Sequence, residues 1–75
     1  MAGIIYLALQ DFDKAIAINP QLEEGYRNRG IVLNFIGQYE RAYRDFSKAL
    51  ELDPDDGFAH SSREALGQVL FRERK

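Results

Sequence analysis

Four stretches of the chain have apolar residues at the spacing of an amphipathic helix. They cover residues 4–19, 22–36, 39–53 and 56–72. Prolines at positions 20 and 54 and a glycine at position 37 separate them, because proline disfavours helix in the preceding residue and glycine tolerates the left-handed conformation of a helix end. The link around Gly37 is only about two residues long, so the helices on either side of it are expected to form an antiparallel hairpin. The pattern therefore predicts an all-α fold of four helices.

The first and third stretches share one sequence pattern. Seven residues recur at an offset of 34 positions: Gly3, Ala8, Asp11, Phe12, Lys14, Ala15 and Pro20 return as Gly37, Ala42, Asp45, Phe46, Lys48, Ala49 and Pro54. A fixed period of this size is typical of an array of helical repeats. In the third helix, the face opposite the apolar residues is expected to be solvated, and it contains Glu40, Arg41, Arg44, Asp45, Lys48 and Glu51.

The first helix is apolar nearly all round at its start. Ile4, Tyr6 and Leu7 stand where the third helix region has Gln38, Glu40 and Arg41. This excess of apolar surface predicts burial against another chain or against an upstream segment. The candidates for self-association are Ile4, Ile5, Tyr6, Leu7 and Leu9.

Length, charge and composition exclude several classes of function. With 75 residues the chain forms at most one small domain, spanning residues 1–75. Ten basic and twelve acidic residues give a formal charge of −2, which argues against a dedicated binder of nucleic acid or anionic membranes. No apolar run approaches the ~20 residues that cross a bilayer, and the apolar start lacks the features of a signal peptide. Together with the absence of cysteine, these features predict a cytoplasmic protein.

Residues 23–56 resemble a tetratricopeptide repeat, a family whose pattern is W-x2-L-G-x2-Y, then A-x3-F, then P. The corresponding places in this chain are occupied by Tyr26, Arg29, Gly30, Leu33, Ala42, Phe46 and Pro54. Gly30 and Ala42 are small enough to let two helix backbones approach, and Phe46 fills the space beside them. Arg29 departs from the pattern because the family has a core leucine there. We expect its side chain to reach solvent or to pair with a nearby carboxylate, with a glutamate as the first candidate.

The resemblance implies a short right-handed solenoid of antiparallel helix hairpins, about two repeat equivalents long. Residues 4–19 would be the second helix of a partial repeat, and residues 22–53 the complete repeat. Residues 56–72 would be the first helix of a next repeat or a capping helix. The resemblance therefore implies a truncated array, with one complete repeat between two incomplete ones.

The resemblance also implies a function, since the first helices of such repeats line a concave groove that holds a peptide. Transferred to this sequence, the groove is formed by Glu24, Arg27, Asn28, Ile31 and Asn34, followed by Phe58, Ser61, Ser62 and Ala65. Asn28 occupies the place where carboxylate-clamp members bind a peptide C-terminus, but those members also need two basic residues where this chain has Phe58 and Ser62. Peptide binding without such a clamp is therefore expected, and the alternative is that Arg27 and Asn28 are merely solvated. The runner-up function is a self-assembling unit, a homo-oligomer formed through the first helix with possible exchange of helices.

Three other patterns have simpler explanations. Neighbouring residues on a helix point in different directions, so His60, Ser61 and Ser62 are not expected to form a catalytic pair. The run from Asp53 to Gly57 with Glu64 only partly matches a calcium loop. These residues are better explained as the end of one repeat and the cap of the following helix. The aromatic residues lack the basic stripe of a nucleic-acid site. We therefore predict a protein or peptide partner, no catalysis, and neither cofactor nor metal.

Overall fold

The computed structural model describes residues 2–72 of the chain. The described part contains four α-helices, in agreement with the apolar pattern: α1 (Ala2–Ile18), α2 (Glu23–Phe35), α3 (Tyr39–Leu52) and α4 (Gly57–Phe71). The predicted helix ends agree with the observed ones to within two residues. Extensive contacts join α1 to α2, α2 to α3, and α3 to α4. The chain thus forms an all-α, tetratricopeptide-type solenoid in which each helix packs on the next.

The turn between α2 and α3 is set by Gly37. Its φ angle of +86° lies in the left-handed region. The amide of Gly37 donates to the carbonyl of Asn34 at 3.1 Å, and the amide of Gln38 donates to the carbonyl of Leu33 at 2.9 Å. These are the two hydrogen bonds of a Schellman motif, which satisfies the last carbonyls of α2. The predicted role of Gly37 as a helix end is confirmed.

Replacing Gly37 with alanine is expected to lower the free energy of unfolding by about 1 kcal/mol, because an L side chain is strained at a left-handed φ. Urea denaturation measures this loss. Gly3→Ala is the matched control, since an added Cβ there meets open space inside a helix and alanine favours helix. If both variants gained stability, the strain at Gly37 would be refuted.

The core lies between α2, α3 and α4. Its buried residues are Leu33, Ala42, Phe46, Ala49, Ala59 and Leu66. Phe46 is 1% exposed and its ring lies against the backbone of Gly30. A Cβ built on Gly30 would stand 3.1 Å from the ring, which is tighter than an ordinary contact. The close approach predicted for Gly30 and Phe46 is therefore confirmed.

Arg29 on α2 forms ion pairs with residues of both α1 and α3. Its guanidinium makes two hydrogen bonds of 2.8 Å to the carboxylate of Asp45 in α3 and one of 2.9 Å to Asp13 in α1. These bonds raise the pKa of Arg29, with Asp45 as the main cause. The expected pairing with a carboxylate is confirmed, but the partners are aspartates and not a glutamate. The assignment of Asp45 to the solvated face of α3 was wrong, because Asp45 is buried at 6% exposure by this contact.

The outer side of α1 faces solvent. No residue from Gly3 to Ile18 is fully buried. Of the five self-association candidates, Ile4, Tyr6 and Leu7 are 60–68% exposed, whereas Ile5 and Leu9 are half-buried. Among residues 2–72, no helix combines the length and the apolar character that crossing a membrane requires.

Candidate functional site

An apolar groove lies between the end of α2 and the exposed side of α4. We call it the α2–α4 groove, and its volume is about 420 Å³. Its lining consists of Asn34, Tyr39, Phe58, Ser61, Ser62, Ala65, Leu66 and Val69. All eight residues are uncharged, and Phe58 and Val69 are each 54% exposed within it. The groove therefore presents apolar surface together with amide and hydroxyl groups, and no formal charge.

Five of the predicted groove residues line this groove: Asn34, Phe58, Ser61, Ser62 and Ala65. The other predictions on α2 lie elsewhere on that helix. Ile31 is 41% exposed, Glu24 is exposed and Asn28 is half-buried. None of these three belongs to the groove lining.

Arg27, also predicted for the groove, is held by acidic residues. It donates to Oδ2 of Asp56 at 3.1 Å and lies 3.7 Å from Oε1 of Glu23, one turn earlier on α2. Asp56 also accepts a hydrogen bond from the amide of Ala59 at 3.1 Å, so it is the N-cap of α4. The positive charge of Arg27 is thus used to connect the start of α2 to the start of α4.

The carboxylates of Glu23 and Asp56 lie close to each other beside Arg27. Oε2 of Glu23 is buried and has no hydrogen-bond donor among the described residues. The facing carboxylate of Asp56 raises the pKa of Glu23 to about 7, and burial adds to this effect. The same contact lowers the pKa of Asp56. A proton on Glu23 turns one of two repelling acceptors into a donor, so the pair binds a proton more tightly than two separate carboxylates.

The stability of the protein is expected to fall as the pH rises from about 5 to about 8. Since folding raises the pKa of Glu23, the folded state holds a proton that the unfolded state has already lost above about pH 4.5, and this contribution disappears as the pH passes about 7. Glu23→Gln supplies a permanent donor, so we expect the variant to be more stable than the native chain at about pH 8, by on the order of 1–2 kcal/mol. Urea midpoints at both pH values measure the difference.

The exposed neighbour Glu24 offers the matched control. Glu24→Gln removes the same charge one residue away and is expected to leave the pH dependence of stability as it is in the native chain. A Glu23→Gln variant that loses stability with rising pH as steeply as the native chain would show that the two carboxylates do not share a proton.

A second groove, the α3–α4 groove, lies on another side of α4. Its volume is about 540 Å³, and it is lined by Tyr43, His60, Arg63, Glu64, Gly67, Gln68, Phe71 and Arg72. His60 thus lines one groove, while Ser61 and Ser62 line the other. The remaining pattern that suggested chemistry, the acidic run before α4, is part of the local backbone structure, because Asp53 accepts from the amide of Asp55 and Asp56 caps α4.

Part of the α2–α4 groove and the whole of the α3–α4 groove were not predicted from the sequence. Tyr39 and Val69 fall in the helical spacing of the apolar residues, yet they are 42% and 54% exposed and line the α2–α4 groove. Their helical spacing is the same as that of buried residues, so periodicity alone does not separate them. The α3–α4 groove was not predicted, although the 34-residue period contained the signal. Five of its lining residues, from His60 to Gln68, are the repeat counterparts of residues on α2.

Comparison with known proteins supports the motif analysis. Residues 23–56 match the tetratricopeptide repeat family. A UDP-N-acetylglucosamine–peptide N-acetylglucosaminyltransferase from Giardia intestinalis is 41% identical over 63 residues, which are 84% of this chain and 4% of that protein. The chain therefore spans a small fraction of the length of this relative. No solved structure matches the chain significantly.

The family match covers the segment from the start of α2 to the cap of α4. It includes the Gly30–Phe46 contact and the Gly37 turn, which together define the hairpin. The resemblance inferred from the motifs is thus confirmed, and residues 23–56 of the chain are a tetratricopeptide repeat.

Proposed function

We propose that the chain is a protein-interaction module without catalytic function, which binds an uncharged, apolar peptide segment in the α2–α4 groove. The observation that supports this most strongly is the lining of the groove, in which all eight residues are uncharged and two large apolar side chains are more than half exposed. Its volume of about 420 Å³ falls within the roughly 300–1,000 Å³ usual for ligand sites.

The polar groups of the groove suit a peptide backbone. Asn34 offers both a donor and an acceptor, and Ser61 and Ser62 offer hydroxyl groups that do both. A peptide segment has free N–H and C=O groups along its length, which such neutral groups can satisfy while Phe58 and Val69 contact apolar side chains. The preferred ligand therefore has apolar side chains for affinity and an accessible backbone for orientation.

A peptide C-terminus is a poorer ligand for this groove. Binding a carboxylate requires several converging cationic donors. Arg27 is the one basic residue among the predicted groove positions, and its guanidinium is engaged by Asp56 and Glu23. A carboxylate placed there would compete with these acids, so we assign the groove to an internal peptide segment.

The relative from Giardia intestinalis gives independent support for a peptide ligand. Its name describes an enzyme that acts on peptides, and the stretch it shares with this chain contains the repeat. We therefore assign peptide binding to this chain but not the sugar-transfer reaction, since the shared stretch is 4% of that enzyme.

Binding of synthetic peptides with blocked ends tests the proposal. The probe has two leucine or phenylalanine residues separated by serine and asparagine, with an acetylated N-terminus and an amidated C-terminus. Phe58→Ala is expected to weaken binding of this peptide about tenfold, because it removes the largest apolar side chain of the groove. Isothermal titration calorimetry measures the affinity.

Phe35→Ala is the matched control, because Phe35 is 79% exposed on α2 and does not line the groove. This variant is expected to bind the peptide as the native chain does. A probe in which alanine replaces the apolar residues is expected to bind weakly, and a free C-terminal carboxylate is expected to add nothing. Equal affinity of Phe58→Ala and the native chain would refute the proposed site, as would a requirement for the carboxylate.

A further inference from the structure

The 34-residue period relates α1 to α3 and α2 to α4, and it shows which contacts of the complete repeat are missing elsewhere. In the complete repeat, Ala42, Phe46 and Ala49 of α3 are at most 1% exposed. Their counterparts in α1 are Ala8, Phe12 and Ala15, which are only half-buried. The difference arises because α3 packs on both α2 and α4, whereas the extensive contacts of α1 are with α2. Among residues 2–72, the apolar face of α1 therefore has no partner equivalent to the one that α2 provides for α3.

Helix α4 has a surface that corresponds to the side of α2 on which α3 packs. Three residues of α2 face α3: Arg29 and Gly30 by direct contact and Leu33 in the core. Their counterparts 34 positions later are Arg63, Glu64 and Gly67. All three line the α3–α4 groove of about 540 Å³. The groove on α4 therefore corresponds to the surface of α2 on which α3 packs.

One polar contact of Arg29 recurs with the same period, and one ion pair does not. Arg29 binds Asp13 on the preceding helix and Asp45 on the following one. The counterpart of Arg29 is Arg63, whose guanidinium lies 3.5 Å from the hydroxyl of Ser47, the counterpart of Asp13. Arg63 is half-buried in the groove, and its second contact, to a counterpart of Asp45, is not made within residues 2–72.

The chain itself contains an aspartate of the required kind. Asp11 on α1 is the counterpart of Asp45, and it is exposed. In the complete repeat, the aspartate at this place is next to the phenylalanine that fills the helix interface, and Asp11 is likewise followed by Phe12. A second copy of α1 thus has the apolar face, the aromatic residue and the charge that the α3–α4 groove is suited to receive.

We propose that α1 of one copy packs into the α3–α4 groove of another, with Asp11 paired to Arg63, so that the two chains together complete a repeat. Phe12 then lies near Gly67, against the rings of Tyr43 and Phe71, whose nearest atoms are 3.5 and 3.8 Å from a Cβ built on Gly67. Glu64 occupies the place of Gly30, so the ring is displaced by three residues along α4, or ~4.5 Å, a distance that the long side chain of Arg63 spans. The contact is head-to-tail and joins different surfaces, and it therefore forms open chains of molecules or closed rings.

Two charge-reversal variants test the interface. Arg63→Asp places two acids opposite each other in a homogeneous sample, and Asp11→Arg places two arginines there. The native chain is expected to increase in mass with concentration in sedimentation velocity, less so at high salt, because salt screens the ion pair. Each variant alone is expected to associate at least tenfold more weakly. An equimolar mixture is expected to regain association, since both of its mixed contacts pair an acid with an arginine.

Arg41→Asp is the control for charge reversal, because Arg41 is exposed on α3 and its side chain bonds only to Gln38 among the described residues. It is expected to associate as the native chain does. Circular dichroism of each variant checks that the helices are retained. A native chain that stays monomeric at the highest soluble concentration would overturn the proposal, and so would a mixture that associates no better than its two components.

Disulfide trapping gives a second, independent measurement, because the chain contains no cysteine. One sample contains Asp11→Cys and another contains Arg63→Cys. After mixing and mild oxidation, the disulfide between position 11 and position 63 is expected to form faster than either symmetric disulfide. Preferential formation of the 11–11 species would replace the head-to-tail contact with a two-fold dimer through α1, which contradicts the proposal.

Discussion

Replacing Phe46 with alanine is expected to destabilise the protein by about 3–5 kcal/mol, the range found when a fully buried phenylalanine is lost. Phe46 is 1% exposed, contacts the backbone of Gly30 and packs edge-on against Phe58. A chain of this size is stable by only roughly 4–11 kcal/mol in all. The variant is therefore expected to be largely unfolded at temperatures where the native chain is folded, as measured by thermal melting followed at 222 nm.

Phe35 provides the same substitution on the surface. It is 79% exposed, so Phe35→Ala is expected to change the free energy of unfolding by less than about 0.5 kcal/mol. Similar melting curves for the two variants would mean that the Gly30–Phe46 contact does not hold α2 and α3 together.

Replacing Arg29 with leucine is expected to destabilise the protein by about 2–4 kcal/mol, although leucine is the residue that the family has at this place. The substitution leaves the carboxylate of Asp45, whose side chain is 8% exposed, without its two hydrogen bonds of 2.8 Å. Removing one partner of a buried ion pair costs more than the pair itself contributes, because the other charge stays desolvated. Urea denaturation at neutral pH measures the loss.

The double variant Arg29→Leu, Asp45→Ala distinguishes this explanation from a simple loss of packing. It removes both charges, so it is expected to regain most of the stability that Arg29→Leu loses. Asp13→Asn tests the third member of the cluster, whose side chain is 55% exposed, and it is expected to cost less than about 1 kcal/mol. A double variant no more stable than the single one would contradict the buried pair.

The helices and the repeat were predictable because their causes are local in the sequence. Proline, glycine and helical spacing act over a few residues, so the hairpin around Gly37 and the contact of Gly30 with Phe46 followed from the pattern and the family resemblance. The partner of Arg29 was not predictable in this way. Asp45 belongs by spacing to the polar face of α3, and it is buried only because Arg29 takes the place of a leucine and needs a carboxylate opposite.

The candidate sites show the same limit. The pairing of Glu23 with Asp56 joins residues 33 positions apart and depends on how α2 and α4 approach each other, which spacing along the chain does not encode. Likewise, the sequence indicated Phe58 and Ser62 as groove residues but not Tyr39, since an exposed aromatic residue at a helix start has the same pattern as a buried one.

The charge distribution on α4 separates the two proposed interactions. The α2–α4 groove is lined by uncharged residues, whereas the α3–α4 groove contains Arg63, Glu64 and Arg72. Peptide binding in the first groove is therefore expected to depend little on salt, and self-association through the second to weaken as salt is added. One helix thus presents an apolar surface to a ligand on one side and a charged surface to a second copy on another.

Chemical-shift mapping of the ¹⁵N-labelled chain during titration with the blocked apolar peptide tests whether the α2–α4 groove is the ligand site. We expect the largest shifts at the amides of Asn34, Phe58, Ser62 and Ala65, while those of α1 stay in place. Shifts confined to α1 or to the α3–α4 groove, or no shifts at all with a peptide of this type, would contradict it.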